Sequence, residues 1–291
     1  MVEHIVEMPQ LAPRRSQPHN LPHNLKYIPH KMHPVSISAE KVFSIFGFPV
    51  MNSLLTTWLV MAVLISVAFL ATRKMKSVPS GLQNAFEMII EGFLGLIESV
   101  TDDKKKAREF FAYAFTIFLL ILLSNWMGLI PGVGSIGFFE EAKEIAKGGA
   151  EAATEGHCIG FFPLFRAGSS DLSFTLALAL TTVIYVQYIG FRHLKFGYLK
   201  KYFNFHGPIQ FFVGILEIIS ELAKVISFSF RLFGNIFAGE VLLVVMLFLA
   251  PYIIPIPFYG LEIFVGLVQA LVFTMLTLVF LNGATVGHEE H

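Results

Sequence analysis

The sequence is poor in charged residues and has almost no cysteine. Asp, Glu, Lys and Arg make up 14% of the 291 residues, whereas roughly 25% is usual in soluble domains. The 21 basic side chains balance the 21 acidic ones, so the chain lacks the positive excess that a nucleic-acid partner requires. The single cysteine, Cys158, excludes an intrachain disulfide and any multi-cysteine zinc or iron–sulfur site. Nucleic-acid-binding and disulfide-stabilised secreted proteins are therefore excluded.

Long apolar stretches take the place of the missing charge. Hydrophobic residues make up 55% of the chain, and five stretches reach the ~20 residues that a helix needs to cross the hydrocarbon core of a bilayer. We therefore predict an all-α membrane protein with about five membrane helices. The expected spans lie at about 50–71, 109–130, 172–191, 209–250 and 258–281.

The segments outside these spans divide the chain into a tail and a membrane domain. Residues 1–49 are rich in Pro and His, which predicts an irregular N-terminal tail, and residues 50–291 form the membrane domain. Within that domain, residues 131–170 form a long connecting loop, in which we expect a short helix around Phe139–Lys147.

The stretch Gly81–Val100 has an amphipathic pattern instead of a uniformly apolar one. Phe86, Ile90, Phe93 and Ile97 fall on one helical face, and the glutamates of the stretch fall about 120° away. This pattern predicts a helix that lies in the membrane interface without crossing the bilayer.

Basic residues are concentrated in two of the connecting loops. The loop 131–170, in contrast, has three basic residues against five glutamates. Because positively charged loops stay in the cytoplasm, the pattern predicts that the N-terminus and the loop 131–170 lie outside and that the C-terminus is cytoplasmic. The basic residues behind this orientation are Arg73, Lys74, Lys76, Lys104, Lys105, Lys106 and Arg108 after the first span, and Arg192, Lys195, Lys200 and Lys201 after the third.

The fourth span is unusually long and contains the chain's most costly charges. Its 42 residues at 209–250 contain no proline and would extend ~63 Å as one helix, about twice a ~30 Å hydrocarbon core, so we expect a strong tilt. Polar residues line one stripe of this helix, within about 40° of Asn235. The stripe comprises Glu217, Glu221, Lys224, Arg231 and Asn235.

Arg231 lies deep within this span, and an arginine at a helix centre costs at least ~2.5–3.5 kcal/mol. A charge at that position is a candidate for function because it is so costly. The alternative is an internal ion-pair network that locks helix to helix, with Arg231 bridged to Glu262.

Several motifs resemble the subunit a family of F-type ATP synthases, the stator half of a rotary ion channel. The most specific is SFSFRLFGNIFAGEVL at Ser227–Leu242. Others are NWMGLIP at Asn125–Pro131, DLS at Asp171–Ser173 and LVQA at Leu267–Ala270. The resemblance covers most of 108–282 and implies an α-helical membrane bundle whose last two helices form a long, tilted hairpin.

The resemblance also implies a set of ion-translocating residues. Arg231 matches the family's essential arginine, which faces a carboxylate on the rotor ring. The remaining members are Asn235 and Gln269 near the arginine, Glu240 and Glu262 in the half-channel open to the outside, Glu217 and Lys224 towards the cytoplasm, and Asp171 at the start of the third span.

One position departs from many members of the family. Many relatives have one Glu and one His where this chain has Glu240 and Glu262, and all ten histidines of this chain are expected outside the spans. We therefore expect the two glutamates to titrate as one coupled unit, because two carboxylates in a narrow channel do not both ionise cheaply.

The implied partners are the c-subunit ring, the b subunits of the peripheral stalk, the rest of the ATP synthase complex and membrane lipid. The implied location is the bacterial plasma (inner) membrane. No cofactor, metal or catalytic residue is expected, since the chain has no GxxxxGK[ST] phosphate-binding loop. The coupling ion, H⁺ or Na⁺, depends on rotor residues that this chain does not contain.

A secondary transporter is the alternative function, because buried charges in membrane helices are usual in that class. Five spans, the lack of an inverted repeat and a single polar stripe suited to an external partner favour the stator.

Overall fold

Six α-helices dominate the part of the chain that the computed structural model describes, which comprises residues 41–45, 48–73, 81–130, 137–141, 159–195, 197–198, 208–250 and 253–285. Five of these helices, all except α2, are long and apolar enough to cross a membrane. The predicted all-α membrane fold is therefore confirmed. The helices are α1 (Asn52–Thr72), α2 (Leu82–Thr101), α3 (Lys104–Leu129), α4 (Leu172–Leu194), α5 (Pro208–Leu249) and α6 (Pro255–Thr285).

Proline marks the start of each of the two longest helices and the end of α5. Pro208 and Pro255 each occupy the first position of a helix, where the missing N–H would have no partner in any case. α5 ends at Leu249, two residues before Pro251, because proline does not continue a helix. The 42 residues of α5 form one continuous helix, as its sequence predicts.

The helices α5 and α6 pair as an antiparallel hairpin. Lys224 packs over the ring of Phe280, Phe228 contacts Phe273, and Asn235 bonds to Gln269. Partners on α6 move towards its N-terminus as the contacts on α5 move towards its C-terminus, which is the pattern of two antiparallel neighbours. The long hairpin implied by the resemblance is present.

Helices α3 and α4 pack against this hairpin. α6 packs mainly against α3, and α5 packs mainly against α4. Phe110 of α3 and Phe273 of α6 are fully buried in the shared core. The indole N–H of Trp126 also donates to the carbonyl of Ile263 at 3.2 Å, so α3 is bonded to the N-terminal half of α6.

The amphipathic helix α2 buries only the second half of its apolar face. Phe93 and Ile97 are buried, and Phe93 packs against Phe115 of α3. Ile90 is 37% exposed. The side-chain amide of Asn282, near the end of α6, donates to the carbonyl of Val100 at 3.2 Å. The end of α2 is therefore tied to the bundle, while its start presents apolar side chains outwards.

Two short β-hairpins correct the expectations for the tail and the loop. Strands β1 (Lys41–Ile45) and β2 (Phe48–Met51) pair antiparallel, so the last part of the expected irregular tail 1–49 is regular, and residues 1–40 lie outside the described part. Strands β3 (Gly137–Glu141) and β4 (Ile159–Pro163) also pair antiparallel. The predicted helix around Phe139–Lys147 is therefore wrong at 139–141, where aromatic residues favour a strand, and its remainder is not described.

Candidate functional site

Arg231 lies half-buried on α5, and none of the described carboxylates lies close enough to neutralise it. Its Nη2 donates to the hydroxyl of Ser227 at 3.4 Å, one turn earlier. Within the described ranges, no Asp or Glu approaches Arg231 to ion-pair distance, and Glu262 lies elsewhere, beside Gly239. The alternative of a network in which Arg231 bridges to Glu262 is therefore wrong for this structure. The guanidinium remains available to a group outside the chain.

A cavity of about 300 Å³ opens beside Arg231. Its polar lining comes from α5 and comprises Ser220, Lys224, Ser227 and Arg231, and Phe280 of α6 contributes to the apolar lining. Lys224 pairs with Glu221 at 2.7 Å and packs over the Phe280 ring at 4.7 Å. We call this space the inner cavity. Of the predicted site residues, it brings together Lys224 and Arg231.

Asn235 and Gln269 form a polar bridge between the two long helices. The amide Nδ2 of Asn235 donates to Oε1 of Gln269 at 2.7 Å. Gln269 is buried, and its own Nε2 is without a protein acceptor in the described chain. A buried amide N–H of this kind commonly bonds to an ordered water. The pair predicted to lie near Arg231 is thus joined directly.

A second cavity, of about 230 Å³, brings together Glu240 and Glu262. Asn125 of α3 and Tyr259 of α6 also line it. Glu262 is only 5% exposed, and its carboxylate occupies the space that a side chain at position 239 would fill, so Gly239 makes room for it. We call this space the outer cavity. The side-chain oxygen of Asn125 is buried there with no partner in the described chain, while its Nδ2 donates to the carbonyl of Gly266 at 3.1 Å.

Arg166 is the site residue that sequence reasoning missed. It lines the outer cavity and pairs with Glu240, with Nη2 at 3.1 Å from Oε2. Its side chain is 8% exposed and that of Glu240 is 33% exposed. The sequence signal was present, since Arg166 is one of only three basic residues in the acidic loop 131–170. Its partner, 74 residues away, was not evident from the sequence.

The family model described as "ATP synthase A chain" matches residues 54–282. The chain belongs to the ATP synthase A chain family. It is therefore a multi-pass membrane protein and a component of an ATP synthase.

Three curated relatives, each named "ATP synthase subunit a", illustrate the match. The Helicobacter hepaticus protein is 37% identical over 81% of this chain and 90% of its own length. A Campylobacter jejuni protein is 35% identical over 80% of this chain and 89% of its own length. The Moorella thermoacetica protein is 32% identical over 85% of this chain and 97% of its own length. The similarity thus extends over nearly the full length of the relatives.

Besides Asn235 and Gln269, which form the bridge between α5 and α6, two further predicted residues line neither cavity. Glu217 is half-buried on α5, seven residues before Lys224. Asp171 caps α4, since its carboxylate accepts the backbone N–H of Ser173 at 3.0 Å and the hydroxyl of Ser53 at 2.6 Å. Neither is among the described residues that line the inner or the outer cavity.

His193 is one histidine that does not lie outside the helices. α4 extends to Leu194, three residues beyond the expected span, so His193 falls in its last turn. There it contacts Glu109 at 3.3 Å, next to Arg192, which lies 3.7 Å from the same carboxylate. Both groups are at the end of the bundle opposite the outer cavity.

Proposed function

We propose that this chain is the stator subunit a of an F-type ATP synthase and carries protons to and from a rotating ring of c subunits. The observation behind this proposal is Arg231, a cation without an acidic partner in the described chain, on a helix with two cavities that contain charged side chains at two levels. The outer cavity serves as the path from the outside to the rotor, and the inner cavity serves as the path from the rotor to the cytoplasm.

The offset of the two cavities along α5 supports this assignment. Lys224 and Glu240 are 16 positions apart, which corresponds to ~24 Å along the helix axis. Arg231 and the Asn235–Gln269 bridge lie between them. A fixed cation at that level repels a bare cation that enters either cavity, so protons do not pass directly from one cavity to the other.

The chemistry follows from a guanidinium that meets a rotor carboxylic acid. At ~4 Å and an effective dielectric constant of ~20, a cation favours the ionised carboxylate by ~4 kcal/mol. A protonated rotor carboxyl that arrives beside Arg231 therefore releases its proton into one cavity. Once the ring carries the carboxyl into lipid, desolvation favours the protonated form. Net proton flow thus requires rotation of the ring.

The energetics require several such steps for one ATP. Each charge that crosses the membrane contributes ~2.3 kcal/mol per 100 mV. This chain supplies the stator path and holds no phosphate-binding loop, so we assign ATP chemistry to other subunits. We further propose contact with the b subunits of the peripheral stalk, and insertion in the bacterial plasma membrane with the N-terminus outside and the C-terminus in the cytoplasm.

Replacement of Arg231 tests this function. We expect Arg231→Ala to abolish ATP-driven proton pumping in vesicles while the complex still assembles, because nothing else at that level discharges the rotor carboxyl. Arg192→Ala is the matched control, since neither this arginine nor its partner, Glu109, is among the described residues that line the two cavities. Normal pumping by Arg231→Ala, or ion transport by the chain without a c-type ring, would contradict the proposal. The second result would favour a secondary transporter.

A further inference from the structure

The backbone around Arg166 packs closely against two membrane helices, α1 and α3. Its backbone N–H donates to the hydroxyl of Thr56 on α1 at 3.1 Å. The next residue, Ala167, touches α3 so closely that a Cβ at Gly128 would lie 2.5 Å from that of Ala167. Gly168 packs in the same way against the hydroxyl of Thr57. The backbone at 166–168 is therefore wedged against two helices.

The side chain of Arg166 extends from this segment to α5. Its Nη2 and Nε donate to the same oxygen, Oε2 of Glu240, at 3.1 and 3.4 Å. Charge-assisted hydrogen bonds from a planar guanidinium fix direction as well as charge. Glu240 is therefore oriented by a group that is itself anchored at its backbone.

The two glutamates of the outer cavity consequently have different surroundings. Arg166 balances the charge of Glu240. Glu262 is nearly buried beside Gly239, and no basic side chain of the described segments forms an ion pair with it. The sequence predicts that the two carboxylates titrate as one coupled unit, and the structure adds a cation that pairs with Glu240.

We propose that Arg166 is a positioning residue of the outer proton path. Arg166 fixes Glu240 in the lining of the outer cavity and balances its charge, and Glu262 is the carboxylate that exchanges protons. A hydronium ion in the cavity gives its proton to Glu262 and leaves water. Glu262 then passes that proton towards the rotor carboxylate and returns to its ionised form. The inference rests on the proposed half-channel function and assigns separate roles to its two glutamates.

A double-mutant cycle in the assembled complex tests the pairing of Arg166 with Glu240. ATP-driven proton pumping is measured per amount of intact complex for Arg166→Gln, Glu240→Gln and the double variant. We expect Arg166→Gln to slow pumping at least about fivefold, because it leaves a charged partner uncompensated. Arg166→Gln with Glu240→Gln is expected to be no slower than Arg166→Gln alone, because no unbalanced charge remains.

Glu262 supplies the matched comparison. Arg166→Gln combined with Glu262→Asp is expected to give the product of the two single losses, because these side chains do not pair. Arg166→Lys, which keeps the charge, is expected to fall between the parental chain and Arg166→Gln. A purely structural role for Arg166 would instead change the amount of assembled complex and leave the rate per complex unaltered, which would overturn the inference.

Two further outcomes separate this inference from the function on which it rests. If Glu262→Gln pumps at the parental rate, the outer cavity is not a proton path and the proposed half-channel fails. If Glu262→Gln is inactive but the losses of Arg166→Gln and Glu240→Gln multiply, the half-channel stands and the role of Arg166 is overturned. Parental pumping by Arg166→Gln overturns it as well.

Discussion

Gly239 and Glu262 share one narrow space between α5 and α6. A Cβ at position 239 would overlap the carboxylate of Glu262. Because that carboxylate is the far end of a flexible side chain, it can rotate away at small cost in stability. Its position in the outer cavity would then be lost. Glycine at this position therefore serves the placement of a functional group.

Gly239→Ala is expected to separate function from stability. The methyl group displaces the Glu262 carboxylate, and a misplacement of about 1 Å can cost about 100-fold in a reaction that depends on proximity. We therefore expect ATP-driven proton pumping to fall by one to two orders of magnitude, while the melting temperature of the complex stays near the parental value.

Gly260→Ala is the control for this change. Gly260 is an exposed glycine of α6, two residues before Glu262, and a Cβ there meets no atom of the described chain within 4 Å. Alanine in a helix interior is favoured over glycine by about 1 kcal/mol, so the helix is not weakened. Because the added methyl group displaces no described side chain, this variant is expected to pump normally. Unaltered pumping by Gly239→Ala would show that the position of the Glu262 carboxylate does not matter.

At the scale of elements, the start of α4 is fixed by Asp171. One carboxylate oxygen caps the helix by accepting the Ser173 N–H, and the other accepts the hydroxyl of Ser53 at 2.6 Å. Asp171 is buried, and Ser53 belongs to α1. The residue thus joins two membrane helices, and this structural role accounts for an acid at this position.

Substitution of Asp171 distinguishes a helix cap from a proton carrier. Asparagine caps helices about as well as aspartate, whereas alanine costs about 1 kcal/mol. We expect Asp171→Asn to keep proton pumping near the parental rate, and Asp171→Ala to lower the melting temperature with little change in pumping per complex. A block of pumping by Asp171→Asn in a stable complex would restore the ion-translocating role that the sequence predicts.

The sequence predicts those elements whose limits are set locally. Pro208 and Pro251 enclose α5, because proline is tolerated at a helix start and stops helix extension. The spacing of apolar residues in α2 likewise predicts a helix with one apolar face, of which Phe93 and Ile97 are buried and Ile90 is exposed. Both signals depend on neighbours within a few turns and are therefore visible in the chain itself.

Features that depend on distant residues were not predictable in the same way. The pairing of Arg166 with Glu240 joins a loop to a helix 74 residues away, and the strands β3 and β4 pair across a connection of 17 residues, 142–158. No local pattern specifies either partner. The expected coupling of Glu240 with Glu262 overlooked a cation for the same reason.

At the scale of the whole molecule, one long helix lines two cavities that contain charged side chains and lie at different levels. Val244 lines the outer cavity and Ala223 lines the inner one. They are 21 positions apart on α5, or ~32 Å along its axis, which is comparable to a ~30 Å hydrocarbon core. We assign the two cavities to opposite sides of the membrane, with Arg231 as the barrier between them.

Side-specific access to these two positions tests that assignment most directly. Either Val244→Cys or Ala223→Cys is introduced into a chain that carries Cys158→Ser. A membrane-impermeant thiol reagent is then added to right-side-out or inverted vesicles, and proton pumping is measured afterwards. We expect the reagent to block the Val244→Cys complex only from the outside and the Ala223→Cys complex only from the cytoplasmic side. Inhibition of both complexes from the same side would contradict the two half-channels.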